Sequence, residues 1–172
     1  MKTGRSSDAM RRIEPQTAQM AGTVGTLLIR LMVGAVFFTE GLQKFMYPEL
    51  RGAGRFEQIG FPNPEFLGYF VGAFETVCGL LILFGFLTRF AAVPTFAIML
   101  VAIVTTKIPV LLGHGFGPFG VRDAPFYGFL SMAHEMRTDW AMLLGSLFLI
   151  LVGSGAYSLD AVRERRSGKL KR

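Results

Sequence analysis

Three charged side chains lie inside stretches that are otherwise apolar enough to cross a membrane: Arg30, Glu40 and Glu75. A charge at bilayer depth costs roughly 2.5–3.5 kcal/mol on insertion scales. A carboxylate held there can accept or deliver a proton if its neighbours adjust its affinity for one. These positions therefore predict either ion pairs inside a helical bundle or a polar pocket for the head of an amphipathic molecule.

The spacing of these charges predicts how they pair. Arg30 lies nine residues after Ala21, and Glu75 lies eleven residues before Phe86. At the rise of an α-helix these separations are about 13 Å and about 16 Å from the same side of the membrane, so we expect an Arg30–Glu75 ion pair. Glu40 precedes Lys44 by four residues, and the alternative for these two is an i,i+4 pair near the outer interface.

We expect these charges to form a pocket that opens at the outer end of the bundle. An interfacial cluster of salt bridges without a ligand is the alternative. The candidate pocket residues are Arg30, Glu40, Lys44, Glu75 and Lys107, and the candidates for its outer mouth are His114, His134, Asp139 and Trp140.

Other kinds of site have little support in the sequence. No histidine lies within an apolar block, and no glycine-rich phosphate loop or hydrolase triad is present. The single cysteine, Cys78, is expected to be a small packing residue. We therefore expect no metal site and no cofactor held by motifs of this chain, whereas a quinone or a lipid is a candidate ligand.

The elements that must position these residues are four apolar blocks, each about long enough to cross a ~30 Å hydrocarbon core as a helix. The predicted fold is all-α, an integral membrane four-helix bundle in one domain over residues 21–160. Small residues on the charged faces, such as Gly34, Gly41, Gly72 and Gly79, would let helices approach closely. The predicted spans are 21–45, 65–86, 90–112 and 139–157.

Basic residues predict the orientation of the bundle. Most lysines and arginines lie in two tails, 1–20 and 161–172, and at Arg89 between the second and third blocks. Basic residues stay on the cytoplasmic side, so the prediction is N-in and C-in with two basic cytoplasmic tails. The net charge of +6 is thus expected to serve contact with the lipid bilayer and not with nucleic acid. Residues 1–20 lack the apolar core of a signal peptide.

Two longer connections lie on the outer side in this topology. The first, 46–64, contains a predicted short helix at 55–59 and then Asn63 and Pro64, which are typical of a helix start. The second, 113–138, is rich in glycine and aromatic residues and is predicted to be a long loop at the outer interface.

The sequence also resembles the DoxX family of small four-span bacterial membrane proteins. The resemblance runs from about Leu27 to Asp160 and is carried by the segments 30–37, 41–45, 75–89 and 158–160. Arg30, Lys44 and Glu75 occupy positions where that family places polar residues.

The resemblance implies a multi-pass protein of the bacterial inner membrane that is a subunit of a quinone-linked oxidoreductase system, because members are named for such systems. Subunits of a redox complex would be its partners, and an oligomer is compatible with this function. The alternative is a non-enzymatic scaffold or assembly factor for a partner protein, which would use the aromatic outer connection.

Overall fold

A computed structural model describes the backbone of residues 4–167 and the side chains of residues 22–167. Within this range the chain is all-α, and its one β-type pairing is an isolated bridge between Phe116 and Phe119. A π-helical segment, Ile103–Lys107, lies between the helices Thr88–Ala102 and Ile108–Leu112. The helices are α1 (Gly4–Met46), α2 (Pro48–Arg51), α3 (Ala53–Ile59), α4 (Pro64–Phe84), α5 (Thr88–Ala102), α6 (Ile108–Leu112), α7 (Phe129–Val152) and α8 (Leu159–Arg166).

Three helical stretches in the described part of the chain are long and apolar enough to cross a membrane: Gly22–Met46, Pro64–Phe84 and Thr88–Leu112. They agree with the first three predicted blocks to within three residues at each end. The fourth long helix, α7, packs against α1 and α5 but carries charged residues in its first half. We call the end of the bundle where α4 turns into α5 the Gly85 end, and the opposite one the Lys44 end.

The boundaries of two other predicted segments were wrong. The fourth block was expected at 139–157 after a loop over 113–138, but α7 begins at Phe129 and ends at Val152. Charged residues of α7 pair with Lys107, so the helix extends ten residues beyond its apolar block. It ends where Gly153 takes φ +90°, a backbone angle that L side chains rarely adopt.

Helices also occupy much of the two predicted tails. Helix α1 already begins at Gly4, and α8 covers Leu159–Arg166. Residues 1–3 and 168–172 of the predicted tails lie outside the described residues. The short helix expected at 55–59 is present as α3, and Asn63 and Pro64 begin α4 as predicted.

Glycines bring α1 and α4 into close antiparallel contact. A Cβ atom added to Gly41 would lie 2.5 Å from the backbone nitrogen of Thr76, and one added to Gly79 would lie 2.4 Å from that of Phe38. Real Cβ atoms do not approach other atoms so closely, so these positions require glycine. The predicted small-residue faces of both helices are thus confirmed as their mutual interface.

The apolar core lies where α1, α4, α5 and α7 meet. Its fully buried members include Val33, Phe37, Ile82 and Leu149. Cys78 is 6% exposed and belongs to this cluster, which agrees with a packing role.

The Gly85 end is closed by a guanidinium group. Arg30 is 2% exposed and donates to four backbone carbonyls: Ile82 (3.0 Å), Leu83 (2.7 Å), Ser154 (3.0 Å) and Tyr157 (2.5 Å). The last carbonyls of a helix have no partner within the helix and carry partial negative charge, so a cation there is favourable. Arg30 therefore ties the end of α4 to the chain that follows α7.

Asp160 stabilises the same end of the bundle at the start of α5. Its carboxylate accepts hydrogen bonds from the backbone N–H groups of Leu87 (2.9 Å) and Thr88 (3.2 Å), which begin α5. An acidic residue at a helix N-terminus satisfies unpaired donors and the helix dipole. The segments 85–89 and 158–160, far apart in sequence, thus form one structural unit.

The π-helical segment has a local cause in Pro109. Proline lacks an N–H group and its ring clashes with the carbonyl four residues earlier, which is that of Thr105. The N–H of Ile108 bonds to the carbonyl of Ile103, five residues back, and this wider turn accommodates the proline. The inserted residue changes the direction of the helix surface here, so that Thr105, Thr106 and Lys107 all line one cavity inside the bundle.

Candidate functional site

A cavity of about 490 Å³ lies towards the Lys44 end of the bundle. Its wall is formed by α1, α4, α5, the π-helical segment, α7 and the segment 47–63, which contains α2 and α3 and which we call the α2–α3 connection. Apolar side chains, including Val36, Phe37, Ile98, Met99 and Met142, form much of its wall. A size of about 300–1,000 Å³ with apolar walls and a few polar groups is typical of small-molecule sites. Its charged lining residues are Glu40, Lys44, Arg51, Arg55, Glu75, Lys107 and Asp139.

The central feature of this cavity is an ion pair between Lys44 and Glu75. Lys44 Nζ lies 2.5 Å from Glu75 Oε2, and the two side chains are only 10% and 4% exposed. Glu75 also interacts electrostatically with Glu40 and Arg55. Because two buried charges satisfy each other, the pair can persist in an apolar surrounding and still present polar atoms to a ligand.

The predicted Arg30–Glu75 ion pair was wrong. Arg30 contacts carbonyls near Ile82, seven residues beyond Glu75 on α4, which is about 10 Å further along the helix axis. The expectation of equal depth assumed that the first helix begins at Ala21, whereas α1 begins at Gly4 and the glycine contacts set its register against α4. Arg30 therefore does not line the cavity.

The alternative pairing of Glu40 with Lys44 along one helix is also not the one adopted. Lys44 turns across to Glu75 on α4, since Gly72 leaves room for it: a Cβ at Gly72 would lie 3.1 Å from Lys44 Cβ.

A second group of charges connects the cavity to the surface at the same end. Lys107 Nζ lies 3.1 Å from Asp139 Oδ2 and 3.9 Å from Glu135 Oε2, with a side chain only 9% exposed. Glu135 in turn accepts a hydrogen bond of 2.8 Å from Arg122, whose side chain is 63% exposed. The two carboxylates in the first half of α7, Glu135 and Asp139, are thus paired with basic side chains.

The structure brings five of the predicted site residues together around one cavity: Glu40, Lys44, Glu75, Lys107 and Asp139. His114 and His134 lie outside it, with His134 beside Arg137 on α7. Trp140 is 49% exposed and also lies outside it. Among the described residues no group of three or more His, Cys, Asp or Glu side chains is arranged to hold a metal ion.

Sequence reasoning missed two residues of the cavity, Arg51 and Arg55. They lie in the α2–α3 connection, which folds over the Lys44 end of the bundle because Gly68 lets α4 touch the backbone at Gly52 and Ala53. Within the described residues, Arg51, Arg55 and Glu40 form no ion pair. The one sequence feature that pointed to these residues is their spacing: Arg51 and Arg55 lie four residues apart, between Pro48 and Pro62.

Comparison with known proteins identifies relatives of this chain. The uncharacterized membrane protein Rv3486 of Mycobacterium tuberculosis is 47% identical over 153 residues, which cover 89% of this chain and 90% of that protein. Residues 25–108 match the DoxX family. The chain belongs to the DoxX family. A further relative, "Putative oxidoreductase CatD" of Bacillus subtilis, is 36% identical over 139 residues, covering 80% of this chain and 85% of that protein.

No solved structure matches this DoxX protein with statistical significance. The family match covers Arg30, Lys44, Glu75 and Lys107, the cations and the carboxylate that organise both ends of the bundle. Asp139 and Asp160 lie beyond residue 108, yet each completes a contact with a residue inside the matched range.

Proposed function

We propose that this DoxX protein is the quinone-binding membrane subunit of an oxidoreductase system, with its site in the cavity at the Lys44 end. The observation that carries the proposal is the Lys44–Glu75 pair, buried at the wall of an otherwise largely apolar cavity. A quinone has a polar ring and an apolar tail, and the cavity offers charged groups and apolar walls in the same space. The name of the Bacillus subtilis relative favours redox chemistry.

The cavity residues have distinct parts in this proposal. Reduction of a quinone to a quinol takes two electrons and two protons, so the ring oxygens need proton donors close by. Glu40 and Glu75 line the cavity, and each carboxylate would first take up a proton from water and then pass it to a ring oxygen. Lys44 orients Glu75, while the electrons come from a redox partner subunit.

The proposed topology has four spans with both termini on the cytoplasmic side of a bacterial inner membrane. The fourth span is α7, whose apolar part from Trp140 to Val152 is short for a span, about 20 Å by helical rise. The carboxylates of its first half, Glu135 and Asp139, can lie within the bundle because they pair with Lys107. The Gly85 end then lies on the cytoplasmic side with Arg89, in accord with the positive-inside rule.

Cysteine labelling tests this topology. In a Cys78→Ala background, single cysteines at Arg55 and Arg122 should react with an impermeant reagent from outside the cell. A cysteine at Arg166 should react only after the membrane is opened. Labelling of positions 55 and 166 from the same side would refute it.

Ligand binding tests the function. A short-tailed quinone analogue is titrated against the purified protein in lipid nanodiscs, with wild type, Glu40→Gln and Glu75→Gln compared. Glu65→Gln is the matched control, since Glu65 is exposed near the same end but does not line the cavity. We expect binding to weaken by about tenfold or more in the two cavity variants, which corresponds to about 1.4 kcal/mol, and to stay unchanged in the control.

No binding to wild type, or equal binding to all four proteins, would refute the quinone site. A stable partner protein that co-purifies in mild detergent, in the absence of ligand binding, would then support the scaffold function.

A further inference from the structure

The charges around the cavity are not balanced once its ion pairs are counted. Lys44 is neutralised by Glu75, and Lys107 is neutralised by Asp139. The remaining charged lining residues are two guanidinium groups, Arg51 and Arg55, and one carboxylate, Glu40. In the described part of the chain none of these three forms a direct ion pair, although Arg55 and Glu40 both interact electrostatically with Glu75. The lining as a whole keeps one positive charge in excess.

The excess positive charge lies on the α2–α3 connection. This connection is held from two sides: Gly68 of α4 contacts its backbone at Gly52 and Ala53, and the N–H of Gly120 bonds to the carbonyl of Ile59 at 3.0 Å. Phe61, which also lines the cavity, packs on Phe119 with ring centroids 5.0 Å apart. The backbone that carries the two arginines is therefore held in place, with Arg55 half-buried and Arg51 exposed at the rim of the cavity.

Guanidinium groups that line an apolar cavity and have donors to spare favour an anionic oxygen, because they offer several donors in a planar arrangement. Glu40, on the part of the wall formed by α1, favours a group that can donate a proton or a hydrogen bond. A quinol that has lost one hydroxyl proton has both: one ionised oxygen and one remaining O–H group on the same ring.

Resting on the proposed quinone-binding function, we infer that the cavity selects the singly ionised form of its ring ligand. The anionic oxygen is held by Arg51 and Arg55, and the opposite ring oxygen faces Glu40. The ligand class is a quinol monoanion or an acidic hydroxyquinone, and neutral quinones bind more weakly. A hydrocarbon chain with an anionic head, such as a fatty acid, shares the charge but lacks the ring.

The test compares two probes that differ in charge. One is a 2-hydroxy-3-alkyl-1,4-naphthoquinone, which is ionised at neutral pH, and the other is its neutral 2-methoxy ether. Affinities are measured by equilibrium dialysis against the full chain in phosphatidylcholine nanodiscs, which contain no anionic lipid to compete. We expect the hydroxy probe to bind about tenfold or more tightly, a difference of about 1.4 kcal/mol.

Three variants assign the effect to the arginines. Arg51→Gln and Arg55→Gln should each reduce the preference for the hydroxy probe while leaving the affinity for the methoxy probe nearly unchanged. Arg137→Gln is the matched control, because Arg137 is on α7 and does not line the cavity. Dodecanoate should bind at least tenfold more weakly than the hydroxy probe when the two compete for the same site.

The outcomes separate the two proposals. Equal affinity of both probes for wild type would overturn the selection of the anion while the quinone site itself stands. A preference that survives in both arginine variants would overturn the role of Arg51 and Arg55. Dodecanoate competing as well as the ring compound would replace the quinol by an anionic lipid, and failure of both probes to bind would refute the quinone site.

Discussion

Removing one member of the Lys44–Glu75 pair should be costly, because the side chains are 10% and 4% exposed and the remaining charge would be left without a partner. Breaking a buried ion pair in this way costs roughly 3–5 kcal/mol. For a chain of this size each kcal/mol shifts the melting temperature by about 2–4 °C, so Glu75→Gln or Lys44→Met should lower it by about 6–20 °C.

The assay is thermal unfolding of the purified protein in detergent for both single variants and the double variant Lys44→Met with Glu75→Gln. The double variant should be more stable than either single one, since no unpaired charge remains. Arg122→Gln is the control, because its ion pair is at the surface and is worth less than about 1 kcal/mol.

A second cycle distinguishes this pairing from the one expected from sequence. Arg30→Lys and Glu75→Gln should have additive effects, because Arg30 contacts α4 at Ile82, about 10 Å along the helix axis from Glu75. Single variants of Lys44 and Glu75 that melt within about 2 °C of wild type, or a strong coupling between Arg30 and Glu75, would refute the reasoning.

Four further predictions concern stability and use the same unfolding assay. Arg30→Lys should destabilise by about 2 kcal/mol or more, because an ammonium group cannot reach all four carbonyls; a wild-type melting temperature would contradict the closure of the Gly85 end. Gly79→Ala should push α1 away from α4 and strongly destabilise the folded protein. Gly25 has open space around it, so Gly25→Ala should be neutral or stabilise the protein by up to about 1 kcal/mol. Similar melting temperatures of the two variants would contradict the close helix contact. Asp160→Ala should lower the free energy of unfolding by about 0.5–2 kcal/mol, because the N-terminus of α5 loses its hydrogen-bond acceptor. Asp160→Asn should restore part of that stability. An unchanged melting temperature of Asp160→Ala would exclude the capping role. Cys78→Ala should fold and bind quinone analogues like wild type, with a loss of about 1 kcal/mol; lost binding would mean that Cys78 is more than a packing residue.

The amino-acid sequence by itself determined three helices that are long and apolar enough to cross a membrane, and the faces on which α1 and α4 pack. Long apolar runs lead to helices because backbone groups in lipid must bond within their own segment. Glycines repeating beside Arg30, Lys44 and Glu75 then mark the contact faces, since each lies on the same side of its helix as the charge. The family relationship was likewise readable from local segments such as 75–89.

The choice of ion-pair partners was decided only by the tertiary structure. Which residue faces Glu75 depends on the register of α1 against α4, and a shift along the helix axis exchanges Lys44 for Arg30. That register is set by the contacts of Gly41 and Gly79 with the opposite helix. The sequence shows these glycines but not which residues of the other helix they contact.

The composition of the cavity was also a tertiary result. Arg51 and Arg55 belong to a connection whose sequence does not say which way it folds, and the contact of Gly68 with its backbone turns it over the Lys44 end. The start of α7 depends similarly on Lys107, because residues 129–138 are too polar to predict a buried helix alone. Local periodicity reports on a residue's own helix, whereas these features arise from residues far apart in the sequence or from chain that has no periodic pattern.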